Sequence, residues 1–117
     1  GEKPYAVTRV HERRVVQRSS AHGGKRHLYS YRSLAPQVRG RHMEAFLVQL
    51  GPAAEKDLSL HEGEEFVFVL EGTVRLEIGG ETYDLDPGDS AYYLSSTPHQ
   101  ISALGERATI LAVLYPA

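Results

Sequence analysis

The stretch SLHEGEEFVFVLEG, running from Ser59 to Gly72, decides how the chain reads. Its second half, EEFVFVLEG, is apolar on both faces and closes on a glycine, the pattern of a strand with an interior on one side and a cover on the other. Its first half sets His61 four residues before Glu65, across the bend Glu62-Gly63-Glu64. Alternate residues of a strand share a face, so an even offset lets both side chains reach one side. Glu65 then shares its row with Val67 and Val69, an apolar floor beneath the carboxylate. Glu64 has the opposite parity and belongs to solvent.

Working outward, the neighbouring segments also read as strands, because their apolar residues recur with period two between Gly, Pro and Asp clusters. TVRLEIGG alternates Val74, Leu76 and Ile78 against Thr73, Arg75 and Glu77, so it is half exposed. RATILAVLY alternates Ala108, Ile110, Ala112 and Leu114 against Thr109, Leu111, Val113 and Tyr115, which predicts a central or covered strand. MEAFLVQLGP is a further strand stopped by Gly51 and Pro52. Upstream, RRVVQRS and HLYSYRSL are predicted strands separated by the turn SAHGG. Turns at Glu71-Gly72, Gly79-Gly80, DPGD (86–89) and SSTP (95–98) reverse the chain at short intervals, since glycine supplies positive φ and proline fixes φ. Short strands with tight turns describe a sandwich or small barrel. No segment carries a helical stripe, and no internal repeat or linker is visible.

At 117 residues the chain suits one domain with one core, here 1–117, with N-terminal strands in 1–35 and a barrel in 41–115. No apolar run approaches the ~20 residues that would span a bilayer and no signal peptide is visible, so the expected location is cytoplasmic, with no membrane partner. The absence of cysteine excludes disulfides and leaves His, Asp and Glu as ligands for any metal. A net charge of −2 gives no reason to expect nucleic acid as a partner. Of 13 Lys and Arg residues, 11 lie before residue 57, and they read as a solvated edge.

His99 follows the Ser-Ser-Thr-Pro turn near the start of an inward strand, a position like that of His61. Two histidines and one carboxylate on adjacent strands would offer one face of an octahedron and leave coordination sites open. His11, His22, His27 and His42 fit no such pattern and are expected at the surface or rim. Ser59 is a small residue beside this site, while Tyr93, Gln100 and Phe46 are candidate ligand-binding residues. The row Phe66, Phe68 and Leu70 is too apolar to face water, so a cover from the N-terminal strands or from a second subunit, giving a homodimer, is expected.

These residues resemble the motifs of the cupin superfamily, whose fold is an all-β double-stranded β-helix, or jelly-roll barrel. The first cupin motif, roughly G-x5-H-x-H-x(3,4)-E-x6-G, aligns with His61, Glu65 and Gly72, and the second, G-x5-P-x-G-x2-H-x3-N, with Gly88 and His99 in GDSAYYLSSTPHQISA. The resemblance implies a metal set of His61, Glu65 and His99 for Fe, Mn, Ni or Zn. Ser59 stands where the first metal-binding histidine normally stands, Leu94 replaces the proline and Ala103 the asparagine, which reduces four ligands to three. Within cupins the segments HEGEEFVFVLEG, GGETY with PGDS, and TPH are similar to the C-terminal sensor domain of XRE-type helix-turn-helix regulators. That similarity implies a domain binding a small-molecule effector, fused in such regulators to a DNA-binding domain and not itself touching DNA. The alternative implied by the same ligands is a mononuclear metal-dependent oxygenase or isomerase.

Overall fold

The computed structural model describes residues 4–13, 16–22, 25–35 and 38–116, with backbone only for the strand residues 16–22 and 25–31. Nine strands follow in order: β1 (Val16–His22), β2 (Lys25–Ser33), β3 (Glu44–Leu50), β4 (Glu64–Glu71), β5 (Val74–Ile78), β6 (Glu81–Leu85), β7 (Ser90–Leu94), β8 (His99–Ala103) and β9 (Ala108–Tyr115). Among the described residues the only helical element is a 3-10 turn at Val10–Glu12, and no helix is long and apolar enough to cross a membrane.

The strands form two antiparallel sheets, one ordered β1-β2-β3-β9-β4-β7 and the other β6-β5-β8, which close on each other as a jelly-roll barrel. β9, the predicted central strand, lies between β3 and β4, and Ala108, Ile110 and Ala112 are buried as its alternation requires. Opposite them Val67 and Val69 of β4 are 1% and 0% exposed, and Val74 and Leu76 of β5 complete the core from the smaller sheet. Leu50, Tyr93 and Ala103 join the same cluster.

Two turns hold this arrangement by glycine. Gly79 and Gly80, at φ 58° and 82°, make the two-residue reversal between Ile78 and its partner Glu81. Positive φ at both central residues matches the right-handed twist of a hairpin, and glycine reaches it without steric cost. Gly72, at φ 76°, ends β4 so close to β9 that an added Cβ would lie 2.6 Å from the Arg107 carbonyl oxygen. No other residue fits there without moving backbone.

Two expectations change. The turn foreseen over residues 20–24 is shorter, because Ser20–His22 continue β1 and Lys25 already begins β2; residues 23 and 24 lie outside the described residues. The N-terminal strands do not cover the outer row of β4 either: β2 pairs with β3, so the hairpin widens the larger sheet at its far edge. Phe66 stays 37% exposed and Leu70 42%, beside Leu94 at 54% on the adjoining β7. The hydrogen-bonding edge of β3 captured these strands in preference to the apolar face of β4.

Candidate metal centre

The segment before β4 is laced to the segment before β8 by backbone hydrogen bonds. The Ser59 amide donates to the His99 carbonyl at 2.7 Å and the His99 amide returns to Ser59 at 3.0 Å. One turn further on, the His61 amide donates to Ser95 at 3.0 Å and the Ser95 amide to Gly63 at 2.9 Å. Gly63 takes φ 111°, which lets the chain bend into β4 with Glu65 pointing inward. Residues distant in sequence thereby meet at the lip of the barrel.

His61, Glu65 and His99 offer ligand atoms that all lie within 4.8 Å of one another. His61 Nε2 is 2.8 Å and His99 Nε2 3.5 Å from the same oxygen, Glu65 Oε1. Ligands bound at ~2.1 Å and right angles to one ion sit ~3 Å apart, so this spacing suits a single divalent ion. The remaining ring nitrogens fix the chemistry. His61 Nδ1 lies 3.0 Å from the Glu62 carbonyl oxygen and His99 Nδ1 2.7 Å from that of Thr97. A carbonyl only accepts, so each Nδ1 carries its proton, and each Nε2 meets Glu65 as a donor when the ring is protonated and with a lone pair when it is neutral. Those lone pairs face an ionised carboxylate oxygen. Only a proton or a metal cation between them makes the contacts attractive, and the donor set therefore fits a divalent metal.

The electrostatics agree. Burial would raise the Glu65 carboxyl, but hydrogen bonds from His99 and Tyr93, with the charges of both histidines, outweigh it and bring the group down to about 2. Burial likewise opposes the charge on His99, yet the Glu65 hydrogen bond, the Thr97 carbonyl and the Glu65 charge raise it above its ordinary value. His61 makes the shorter contact to Glu65 but is 46% exposed against 6% for His99, so solvent screens it more.

The other candidates separate. Ser59 lines a cavity of about 300 Å³ beside the triad, as expected of a small residue there. Tyr93 does not reach that cavity. It is the register partner of Glu65, and its Oη donates to Glu65 Oε2 at 2.6 Å while its ring packs 4.9 Å from that of His99. Burial and the neighbouring carboxylate push its hydroxyl well above the usual tyrosine range, so it stays a donor. Tyr93 thus holds Oε2, and Oε1 is the oxygen turned toward both histidines, where a metal would be held. Gln100 lines the cavity, but its carboxamide is engaged on the loop after β3: the Asp57 amide donates to Oε1 at 2.9 Å and Nε2 donates to the Glu55 carbonyl at 3.0 Å. Strand alternation turns Gln100 away from His99, toward that passing loop. Phe46 shares the inward row of Val48 and Leu50, facing Ala112 in register, but is not among the residues lining the cavity. Of the remaining histidines His11 and His42 are exposed, as expected, and the side chains of His22 and His27 lie outside the described residues.

Sequence reasoning missed Ser95, fully buried, whose Oγ donates to Glu65 Oε1 at 3.2 Å. It shares parity with Tyr93, which was the available signal. Asp57 and Ser102, both on the cavity wall, had none.

An all-β jelly roll with two imidazoles and a carboxylate converging at its lip defines a metal-site barrel protein. A model of the cupin domain matches residues 46–115, and the chain belongs to the cupin family. Among solved structures it is similar to the Fe(II) form of HppE, with 23% identity over 97% of this chain and 62% of that one and a TM-score of 0.75. Hydroxypropylphosphonic acid epoxidase from S. wedmorenis gives 24% identity over 95% and 59%, with a TM-score of 0.75. The SPY1581 protein of Streptococcus pyogenes, of unknown function, gives 22% over 76% and 75%, with a TM-score of 0.62. The chain spans about three-fifths of the length of the HppE structures. A search of curated proteins finds no match.

Proposed function

We propose that the chain is a ligand-sensing cupin domain: a divalent metal on His61, Glu65 and His99 presents open coordination sites to the adjoining cavity, where a small-molecule effector binds. The observation that carries this is the convergence of His61 Nε2 and His99 Nε2 on Glu65 Oε1, at 2.8 and 3.5 Å, with each Nδ1 turned to a backbone carbonyl. The similarity of the 61–72 and 79–99 segments to sensor domains of helix-turn-helix regulators supports binding without turnover, with the DNA-reading part elsewhere. A bound metal would supply Lewis acidity and a docking point. Tyr93 and Ser95 orient the carboxylate, and the apolar floor keeps the inner side dry.

A second reading, a mononuclear metal enzyme, is favoured by Asp57, a titratable group on the same cavity wall, and by the likeness to iron-bound HppE. Metal titration followed by a thermal-shift screen of metabolites separates the two. Stabilisation without product supports sensing, because a ligand selective for the folded state adds RT ln(1 + [L]/Kd); product formed without any stabilising ligand overturns it. Glu65→Ala weakens binding in a sensor and abolishes turnover in an enzyme.

We also infer a homodimer through the outer face of β4 and β7, because the N-terminal strands leave Phe66, Leu70 and Leu94 uncovered. Sedimentation of the protein and of Leu94→Glu tests this. A wild-type monomer at tens of micromolar overturns it.

A further inference from the structure

A carboxylate can offer a metal one oxygen or two, and the choice decides how many positions the ion keeps for other ligands. The last side-chain torsion of glutamate is broad and roughly two-fold, so the strand that carries Glu65 does not settle it. Its neighbours across the sheet do. Glu65 stands opposite Tyr93 in the β4–β7 register, and the Tyr93 hydroxyl donates to Oε2 at 2.6 Å. Ser95, two residues on, donates from Oγ to Oε1 at 3.2 Å. Each carboxylate oxygen thus has its own hydroxyl donor, and both donors come from one short stretch of chain.

Both donors are held in place. Tyr93 is buried with its ring 4.9 Å from that of His99, and Ser95 is fully buried. The Ser95 amide donates to the Gly63 carbonyl at 2.9 Å, and its carbonyl accepts from the His61 amide at 3.0 Å. Gly63 has no side chain, so the short Ser95 side chain reaches Glu65 on the diagonal of the strand pair. A carboxylate held at one oxygen turns about its last bond; held at both, its plane is set. To bring Oε2 onto an ion seated between Oε1 and the histidines, Glu65 would have to turn and leave the Tyr93 hydroxyl behind, and a buried donor without a partner is costly.

We propose, resting on the metal-centred reading above, that Tyr93 and Ser95 are positioning residues that limit Glu65 to ligation through one oxygen. Three single-atom ligands then leave an octahedral ion three open positions, where a chelating Glu65 would leave two. Tyr93 acts by occupying Oε2, and Ser95 by keeping the carboxylate plane. The number of positions open to an effector is therefore set from β7 and the turn after it, by residues that do not themselves touch the ion.

Water-proton relaxation of the Mn(II)-loaded protein counts the waters on the ion and tests this at full loading, whatever the affinity. Wild-type protein is expected to hold three waters. Tyr93→Phe keeps the ring against His99 and removes only the hydroxyl; it is expected to hold two, so inner-sphere relaxivity per bound Mn(II) falls by about a third. Ser95→Ala is expected to lower it by a smaller step, and Ser95→Thr, which restores a hydroxyl, to return it to the wild-type value. A loss of stability alone moves Tm and leaves this count unchanged. Should either Ser95 variant fail to fold, Tyr93→Phe decides. A wild-type ion with two waters overturns the proposal, as does unchanged relaxivity in Tyr93→Phe, and unchanged relaxivity in Ser95→Ala overturns Ser95's part in it. Wild-type protein that binds no Mn(II) overturns the metal centre and this proposal together, a result that the loading titration tells apart from the others.

Discussion

The two faces of β4 differ in nearly everything but sequence character. Its inner row, Glu65, Val67 and Val69, falls from a half-buried carboxylate to side chains 1% and 0% exposed. Its outer row, Phe66, Phe68 and Leu70, is equally apolar yet remains partly in water, 37% exposed at Phe66 and 42% at Leu70. Hydrophobicity alone does not say which row makes the core. The inner row is distinguished by convergence with β5, β8 and β9, and by one charged residue whose partners arrive from other strands. The outer row has apolar area and no cover among the described residues.

That contrast can be broken first at its strongest point. Glu65→Ala removes the oxygen both histidines share, and metal affinity should fall by more than the ~10–100-fold seen when only an outer partner of a ligand is lost; a metal titration with unchanged affinity would mean the ion, if any, binds elsewhere. Next, Val69→Ala should cost about 2 kcal/mol in urea unfolding, since it opens a void in a close-packed interior. Leu94→Ser on the outer side should stay within about 0.5 kcal/mol for the monomer. Equal losses at the two sites would erase the distinction between rows. Tyr93→Phe should lower metal affinity by about tenfold with little change in fold, because Oε2 loses its donor and the carboxylate is freer to turn.

The smallest effect is on pH. In metal-free protein Glu65 is held at about 2, below its ordinary 4.5, so its contribution to stability is complete above pH 4.5 and is lost as the pH falls toward 2. His99 is raised above its ordinary 6.5, so its contribution is complete below that pH and is lost as the pH rises through its folded value. Together they place the optimum of metal-free protein between pH 4.5 and 6.5. Metal needs both imidazoles deprotonated, so the metal-induced gain in Tm should grow with pH across His99's transition. A metal-free Tm that climbs steadily to pH 8 would contradict the ion-pair description.

Much of this was legible in the sequence where the signal is local. The strands β3, β4, β5 and β9 follow from period-two alternation and turn residues, β6 and β7 were marked only by the turns that bound them, and His61, Glu65 and His99 follow from parity and motif spacing. What lay hidden depends on register between strands far apart in the chain. Tyr93 carries no mark telling that it will stand opposite Glu65 rather than face a ligand; β4 and β7 had to be aligned first. Gln100 reads as a pocket residue beside His99, and only the course of the loop through Glu55 and Asp57 shows it gripping that loop instead. Of the two covers expected for the outer row, the N-terminal strands went elsewhere for a related reason: β1 and β2 are as able to extend a sheet as to lie over one, and composition does not choose.

The carbonyls that pin the two imidazoles belong to Glu62 and Thr97, each within two residues of the histidine it orients. Ring orientation is therefore set by each short turn on its own, and docking the two turns brings finished halves together. Such a site needs little rearrangement when an ion arrives, so the association rate should be governed by dehydration of the incoming ion rather than by movement of the polypeptide.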